Sequence, residues 1–177
     1  MIRATTNAEK VTDYVESVLT GRRVAGRLER NACERYQSDL IARDEMGVTF
    51  DQELADMACD FFPLLIHTTG EYDGQAFELA PFQRFVVWNL FGFRRKKDNL
   101  RRFRRAFISM ARGNGKSPFA AALLLMLFGF DNPHEPRAAC YTVATKRDQP
   151  GLYLMRLNDS LSGNLSYGNW SRYYAAT

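Results

Sequence analysis

A chain of 177 residues with 46% apolar and 13% aromatic side chains can bury one ordinary core and is too short for a machine of many domains. Lys and Arg number 24 against 20 Asp and Glu, a net charge of +4; residues 94–105 hold eight bases and one acid, and without those eight bases the balance would be −4. With 25% charged residues, no low-complexity tract and no internal repeat, the composition excludes a chain disordered throughout.

In chain order, "TTNAEKVTDYVESVLTG" offers Thr6 or Asn7 as a cap, Val11, Tyr14, Val15 and Val18 at helical spacing, and Gly21 as a stop, which predicts a short amphipathic helix. Residues 27–43 are charge-rich, with Leu28, Ala32, Tyr36, Leu40 and Ile41 as sparse apolar positions. They read as a helix that is exposed or docks on something else. Residues 51–67 place Leu54, Met57, Ala58, Phe61 and Phe62 on one helical face, and Pro63 bends or ends that helix. The two glycines of "TTGEYDGQAFEL" mark a loop. "APFQRFVVWNLFGF" resumes a helix with Pro81 in its first turn, and Phe82, Phe85, Trp88 and Phe91 read as core.

The basic run "RRKKDNLRRFRR" follows. Its positive field suits phosphate backbones, DNA or RNA, or an anionic surface; the plain alternative is a solvated connection. Residues 106–111, "AFISMA", form a β-type run, a glycine-bearing loop and an apolar helical stretch come next, and residues 138–144, "AACYTVA", form a second β-type run. The order predicts a parallel strand-helix-strand unit with a right-handed crossover. The longest apolar run, residues 120–130, falls short of the ~20 residues of a membrane span, and the N-terminus has no signal-peptide core, so a cytoplasmic location is expected. Cys33, Cys59 and Cys140 are widely spaced and read as reduced thiols in or near the core. His67 and His134 show no metal-ligand spacing.

Between the first β-type run and the helix lies "MARGNGKS". The phosphate-binding pattern G-x-x-x-x-G-K-[ST] is met at Gly115, Lys116 and Ser117, while Met110 stands where the first glycine usually is. Gly113 and Gly115 let backbone N–H groups turn toward a phosphate, and the helix N-terminus adds its positive end. The alternative on the residues alone is a glycine-rich turn capped by Ser117, with Pro118 at the first helical position.

Three blocks, "TGEYDGQAFELAPFQRFVVWNLFGF", "RRAFISMARGNGKSPFAAALLLM" and "AACYTVATKRDQ", resemble the ATPase domain of the large terminase subunit of tailed bacteriophages over residues 67–149. In that family the loop commonly reads A-R-x-N-G-K-S without a leading glycine. The resemblance implies an α/β fold with a P-loop NTPase-like core, here its first strands only, after a helical N-terminal region of residues 1–66. It implies that Gln83 reads the adenine edge, and that Arg112, Gly113, Asn114, Gly115, Lys116 and Ser117 cradle the triphosphate of ATP. Lys116 then faces the β- and γ-phosphates, Ser117 holds Mg²⁺, and Arg112 stabilises charge. Without the family, Gln83 is an ordinary exposed helix residue.

The family also needs a later strand ending in an Asp for Mg²⁺ and a Glu for the attacking water. The only Asp-Glu pair here, Asp44 and Glu45, precedes the loop. The family's metal-binding nuclease domain is absent, and residues 150–177 read as a divergent tail. The expectation is therefore an ATP-binding portion of a viral DNA-packaging motor in the cytoplasm of the bacterial host, truncated and not hydrolytic by itself. Its expected partners are double-stranded DNA, held by Arg94, Arg95, Lys96, Lys97, Arg101 and Arg102, and the small terminase subunit or portal, with no membrane. The alternatives are a non-catalytic terminase-like protein that binds DNA or packaging partners, and a small basic nucleic-acid-binding module with a vestigial loop.

Overall fold

Helix α1 (Asn7–Leu19) starts where the sequence places its cap. Thr6 Oγ1 accepts the Glu9 N–H at 3.2 Å while Glu9 Oε2 accepts the Thr6 N–H at 2.8 Å, a reciprocal capping box. Val11, Tyr14, Val15 and Val18 are buried, and Gly21 turns the chain at φ +78°. These are features of a computed structural model that describes residues 5–67 and 72–129. The described chain forms two compact units, the first from residues up to Asp60 together with Leu79–Ala106, the second from Phe61–Glu78 and the chain from Phe107 onward.

In the first unit α1 packs on α2 (Arg27–Ala42) and on α4 (Pro81–Gly92). Helix α2 buries Cys33, Tyr36 and Asp39, whereas Leu28 and Ile41 are exposed. It docks through one narrow stripe and leaves two of its expected apolar positions in water. Strand β1 (Val48–Phe50) pairs antiparallel with β2 (Phe93–Arg95) in the register Val48↔Arg95, Thr49↔Arg94, Phe50↔Phe93. Asp51 Oδ1 then accepts the Leu54 N–H at 3.0 Å and opens α3 (Gln52–Phe61). Helix α3 buries Ala55, Ala58, Cys59 and, at its last position, Phe61; Leu54 and Met57 are only half-buried.

The expected core residues Phe85, Trp88 and Phe91 of α4 are buried; Phe82 is half-buried. Tyr36 stands edge-on to Phe85 at 5.6 Å and to Phe93 at 6.1 Å, and the Trp88 indole N–H donates to Tyr36 Oη at 3.0 Å. Helix α4 ends on Gly92, where a Cβ would run into the Phe50 ring and stand 3.2 Å from Ala55 Cβ, so glycine is what fits there. No larger residue fits unless the Phe50 ring moves.

In the second unit Pro63 converts the chain after α3 into one 3-10 turn (Phe62–Leu64). Phe62 contacts Phe77 at 5.7 Å and Phe119 at 5.8 Å, and the Ile66↔Ala76 bridge closes the intervening loop. His67 stacks on Phe77 at 4.7 Å, and burial pushes its imidazole below the ordinary value. Helix α5 (Lys116–Gly129) buries Phe119, Ala121, Ala122 and Met126.

The described residues thus combine five helices with a small antiparallel two-stranded sheet. The expected strand at residues 106–111 is not seen: they have no ladder partner among the described residues, and Phe107 is 93% exposed. A three-to-six-residue β-type run is a strand only where another strand completes its hydrogen bonds. The run expected to pair with it, residues 138–144, lies outside the described residues.

Candidate functional site

The sequence before α5 bends as its glycines allow. Gly113 and Gly115 sit at φ +88° and +67°, in the left-handed region where a side chain is strained. The Asn114 N–H donates to the Ala111 carbonyl across the turn, and the Phe119 N–H to Gly115 O at 3.0 Å, so the helix opens at Lys116. That is earlier than a Ser117 cap would place it: Ser117 and Pro118 lie inside the first turn. The N–H groups of Lys116 and Ser117 therefore have no acceptor within the helix and face forward with its positive end. Arg112, Gly113, Asn114 and Lys116 are exposed, and Gly115 and Ser117 are half-buried. Among the described residues neither Arg112 nor Lys116 pairs with a carboxylate. Exposed backbone donors, two uncommitted cations and a hydroxyl on one turn form a donor set that fits a polyphosphate with its Mg²⁺.

Gln83 belongs to the other unit, in the first turn of α4. It is 5% exposed, and its Oε1 accepts the Ala80 N–H at 2.9 Å, closing the helix start. The reading of Gln83 as an ordinary exposed residue is therefore incorrect, because its amide oxygen is drawn inward to an otherwise unpaired backbone donor.

The basic run folds back as a hairpin. Arg95 N–H donates to Leu100 O and Arg102 N–H to Phe93 O, each at 2.9 Å, and Asn99 takes φ +52° at the bend, a conformation asparagine tolerates. The run's cations separate into two classes. Arg94 is 1% exposed within β2. Arg102 Nη2 donates to buried Asp39 Oδ1 at 2.9 Å, its Nη1 stands 2.9 Å from Asp39 Oδ2, and its guanidinium covers the Phe103 ring at 4.9 Å. Arg95 pairs with Asp98 at 2.7 Å, and Arg101 lies over Phe91 at 5.8 Å. Lys96 bonds Asp44 at 2.7 Å in an open pair that holds the Asp44 carboxyl below the ordinary range. Lys97, Arg104 and Arg105 are exposed.

Asp39, Asp44 and Asp98 are the partners that composition alone does not reveal. Only Asp98, the lone acid inside the run, signals its role in the sequence.

Residues 81–166 match the family model of the terminase large subunit, ATPase domain. No curated protein and no solved structure matches the chain. The family match bears out the resemblance carried by the α4 sequence and the loop. It begins at the first residue of α4 and runs past Gln149 into the stretch that reads as divergent. No helix among the described residues is long and apolar enough to cross a membrane.

Proposed function

We propose that the chain is a nucleotide-binding portion of a terminase large subunit, the motor that moves double-stranded DNA into a phage capsid in the cytoplasm of the bacterial host. The loop carries this reading: Gly113 and Gly115 in the left-handed region lead into a helix opening at Lys116, within a segment that matches a terminase ATPase domain. In it Lys116 faces the β- and γ-phosphates of ATP as a compact charge, and Ser117 offers its hydroxyl to Mg²⁺. Arg112 and the N–H groups of residues 113 and 115–117 surround the remaining phosphate oxygens. Gln83 contributes to adenine recognition with whatever its amide retains beyond the α4 cap. Ser117 would hold Mg²⁺, which when bound would neutralise phosphate charge; the chain's own residues bind and orient the nucleotide. The portal and small terminase subunit are the protein partners of this reading.

Equilibrium binding of a fluorescent ATP analogue with Mg²⁺ is the test. Lys116→Ala is expected to abolish binding while the melting temperature holds, since Lys116 is exposed. Equal affinity in both proteins removes the nucleotide site.

A second reading rests on the hairpin, whose exposed Lys97, Arg104 and Arg105 suit phosphate contact whether or not ATP is turned over. Here the chain is a non-catalytic partner of DNA or of packaging proteins. DNA binding unaffected by ATP and by Lys116→Ala favours it.

A further inference from the structure

The first turn of α4 carries "PFQR", and helical spacing sends Arg84 inward beside Gln83, leaving it only 7% exposed. Its Nη1 donates to Asn7 Oδ1, and the Asn7 amide donates onward to Asp60 Oδ1 at 2.8 Å. Arg84 forms no ion pair with a carboxylate among the described residues, so its charge is met by one neutral amide. A buried cation compensated so weakly is costly unless an anion completes its shell.

Arg84 also lines a pocket of ≈ 360 Å³ between α1 and the start of α4. Lys10 and Arg23 bring two more cations to that pocket, and Tyr14 and Pro81 supply apolar walls. The one carboxylate in the lining, Asp13, is already held by Arg22 at 3.0 Å. Glu29 is the other acid nearby: it accepts the Tyr14 hydroxyl at 2.6 Å and stands 3.9 Å from Arg23. The excess charge inside the pocket is positive.

We propose that this pocket binds the phosphate group of a small ligand, with Arg84 as the central fork and Lys10 and Arg23 on its flanks. A guanidinium presents parallel N–H donors that match a phosphate, and two flanking cations favour a dianion over a monoanionic carboxylate. The site lies wholly within the first unit and is independent of the loop before α5. It stands whether or not that loop binds ATP.

The test is calorimetric titration with inorganic phosphate at constant ionic strength, carried out on the full chain bearing Lys116→Ala so that the loop lysine cannot contribute. One equivalent of phosphate is expected to bind. Arg84→Gln should weaken it by about tenfold or more, and Arg84→Lys by less, because a point charge keeps attraction and loses the fork. Because Arg84 is buried and its replacement can disturb the fold, the exposed pair Lys10→Ala with Arg23→Ala provides the independent check. That double variant should melt like its parent without phosphate and lose affinity several-fold. Absence of binding in the Lys116→Ala protein, unchanged affinity in the double variant, or displacement of phosphate by an equal concentration of acetate would overturn the proposal.

Discussion

The structure divides the cations of residues 94–105 sharply enough to predict how salt should affect DNA binding. Arg94 is buried, Arg95 and Arg102 are committed to Asp98 and Asp39, and Arg101 rests on Phe91. Lys97, Arg104 and Arg105 are exposed, and Lys96 is held only by an open pair with Asp44 that a phosphate can replace. Each phosphate neutralised on duplex DNA contributes about −0.9 to the slope of log affinity against log salt. Four such contacts give a slope of roughly −3 to −4. Replacing Lys97, Arg104 and Arg105 by alanine removes three of them and should leave a slope near −1. These side chains are exposed, so each change should alter stability by no more than about 0.5 kcal/mol. Fluorescence anisotropy of a labelled duplex over a salt series reads the slope directly. A triple variant with the wild-type slope refutes the reasoning: DNA would then be held elsewhere or not at all.

Asp39→Asn leaves Arg102 without its carboxylate and should cost about 3–5 kcal/mol in denaturant unfolding, the loss expected when a buried pair is broken; a change under 1 kcal/mol removes the pair from the fold's support. Gly92→Ala drives a methyl against Phe50 and should destabilise by about 1–3 kcal/mol, read as a lower melting temperature, with no change meaning that the ring yields freely. The 177-residue chain should release no phosphate from ATP above background, with or without duplex DNA, since no adjacent Asp-Glu pair follows Lys116; steady release lost on Lys116→Ala would show a carboxylate supplied from elsewhere. Burial pushes the Cys33 and Cys59 thiols up from 9.0 to about 11 and about 12. The fold thus favours their neutral forms, so their contribution to stability is intact below pH 9 and is lost as pH rises through 11 and 12. In a Cys140→Ser variant a thiol reagent at pH 8 should label neither until the protein is unfolded, and rapid labelling of the native protein would contradict their burial.

Where the sequence was legible, local chemistry and burial agreed. Thr6 and Glu9 cap the helix that Val11, Tyr14, Val15 and Val18 dock, and Pro81 opens the helix that Phe85, Trp88 and Phe91 anchor. The two strands were not legible. Val48–Phe50 and Phe93–Arg95 are three residues each, too short for an alternating pattern, and the second lies inside a run whose charge conceals it. Arg94 is buried there, paired at the Thr49 register, a consequence of strand pairing that composition does not carry. On α2, sparse apolar residues gave the period but not the phase, and Leu28 and Ile41 ended in solvent while Asp39 was buried to meet Arg102.

The candidate site follows the same division between local and long-range information. Gly113, Gly115, Lys116 and Ser117 are legible because a phosphate-binding turn is built from consecutive residues, whose φ angles depend on glycine and whose donors depend on the helix start. Gln83 and Arg84 are adjacent in the sequence and both turn inward, but for different reasons. Gln83 closes the helix start through its own neighbour Ala80, which local spacing can suggest. Arg84 reaches Asn7 across 77 positions of chain, and no local pattern announces that contact. The pocket beside Arg84 is therefore invisible before the fold is known, whereas the loop is visible before it. Phosphate binding that survives Lys116→Ala and falls with Lys10 and Arg23 would assign the two anion-receptive surfaces to different ligands. Phosphate binding that vanishes with Lys116 would instead place all anion recognition on the loop and leave Arg84 as a packing residue held by Asn7.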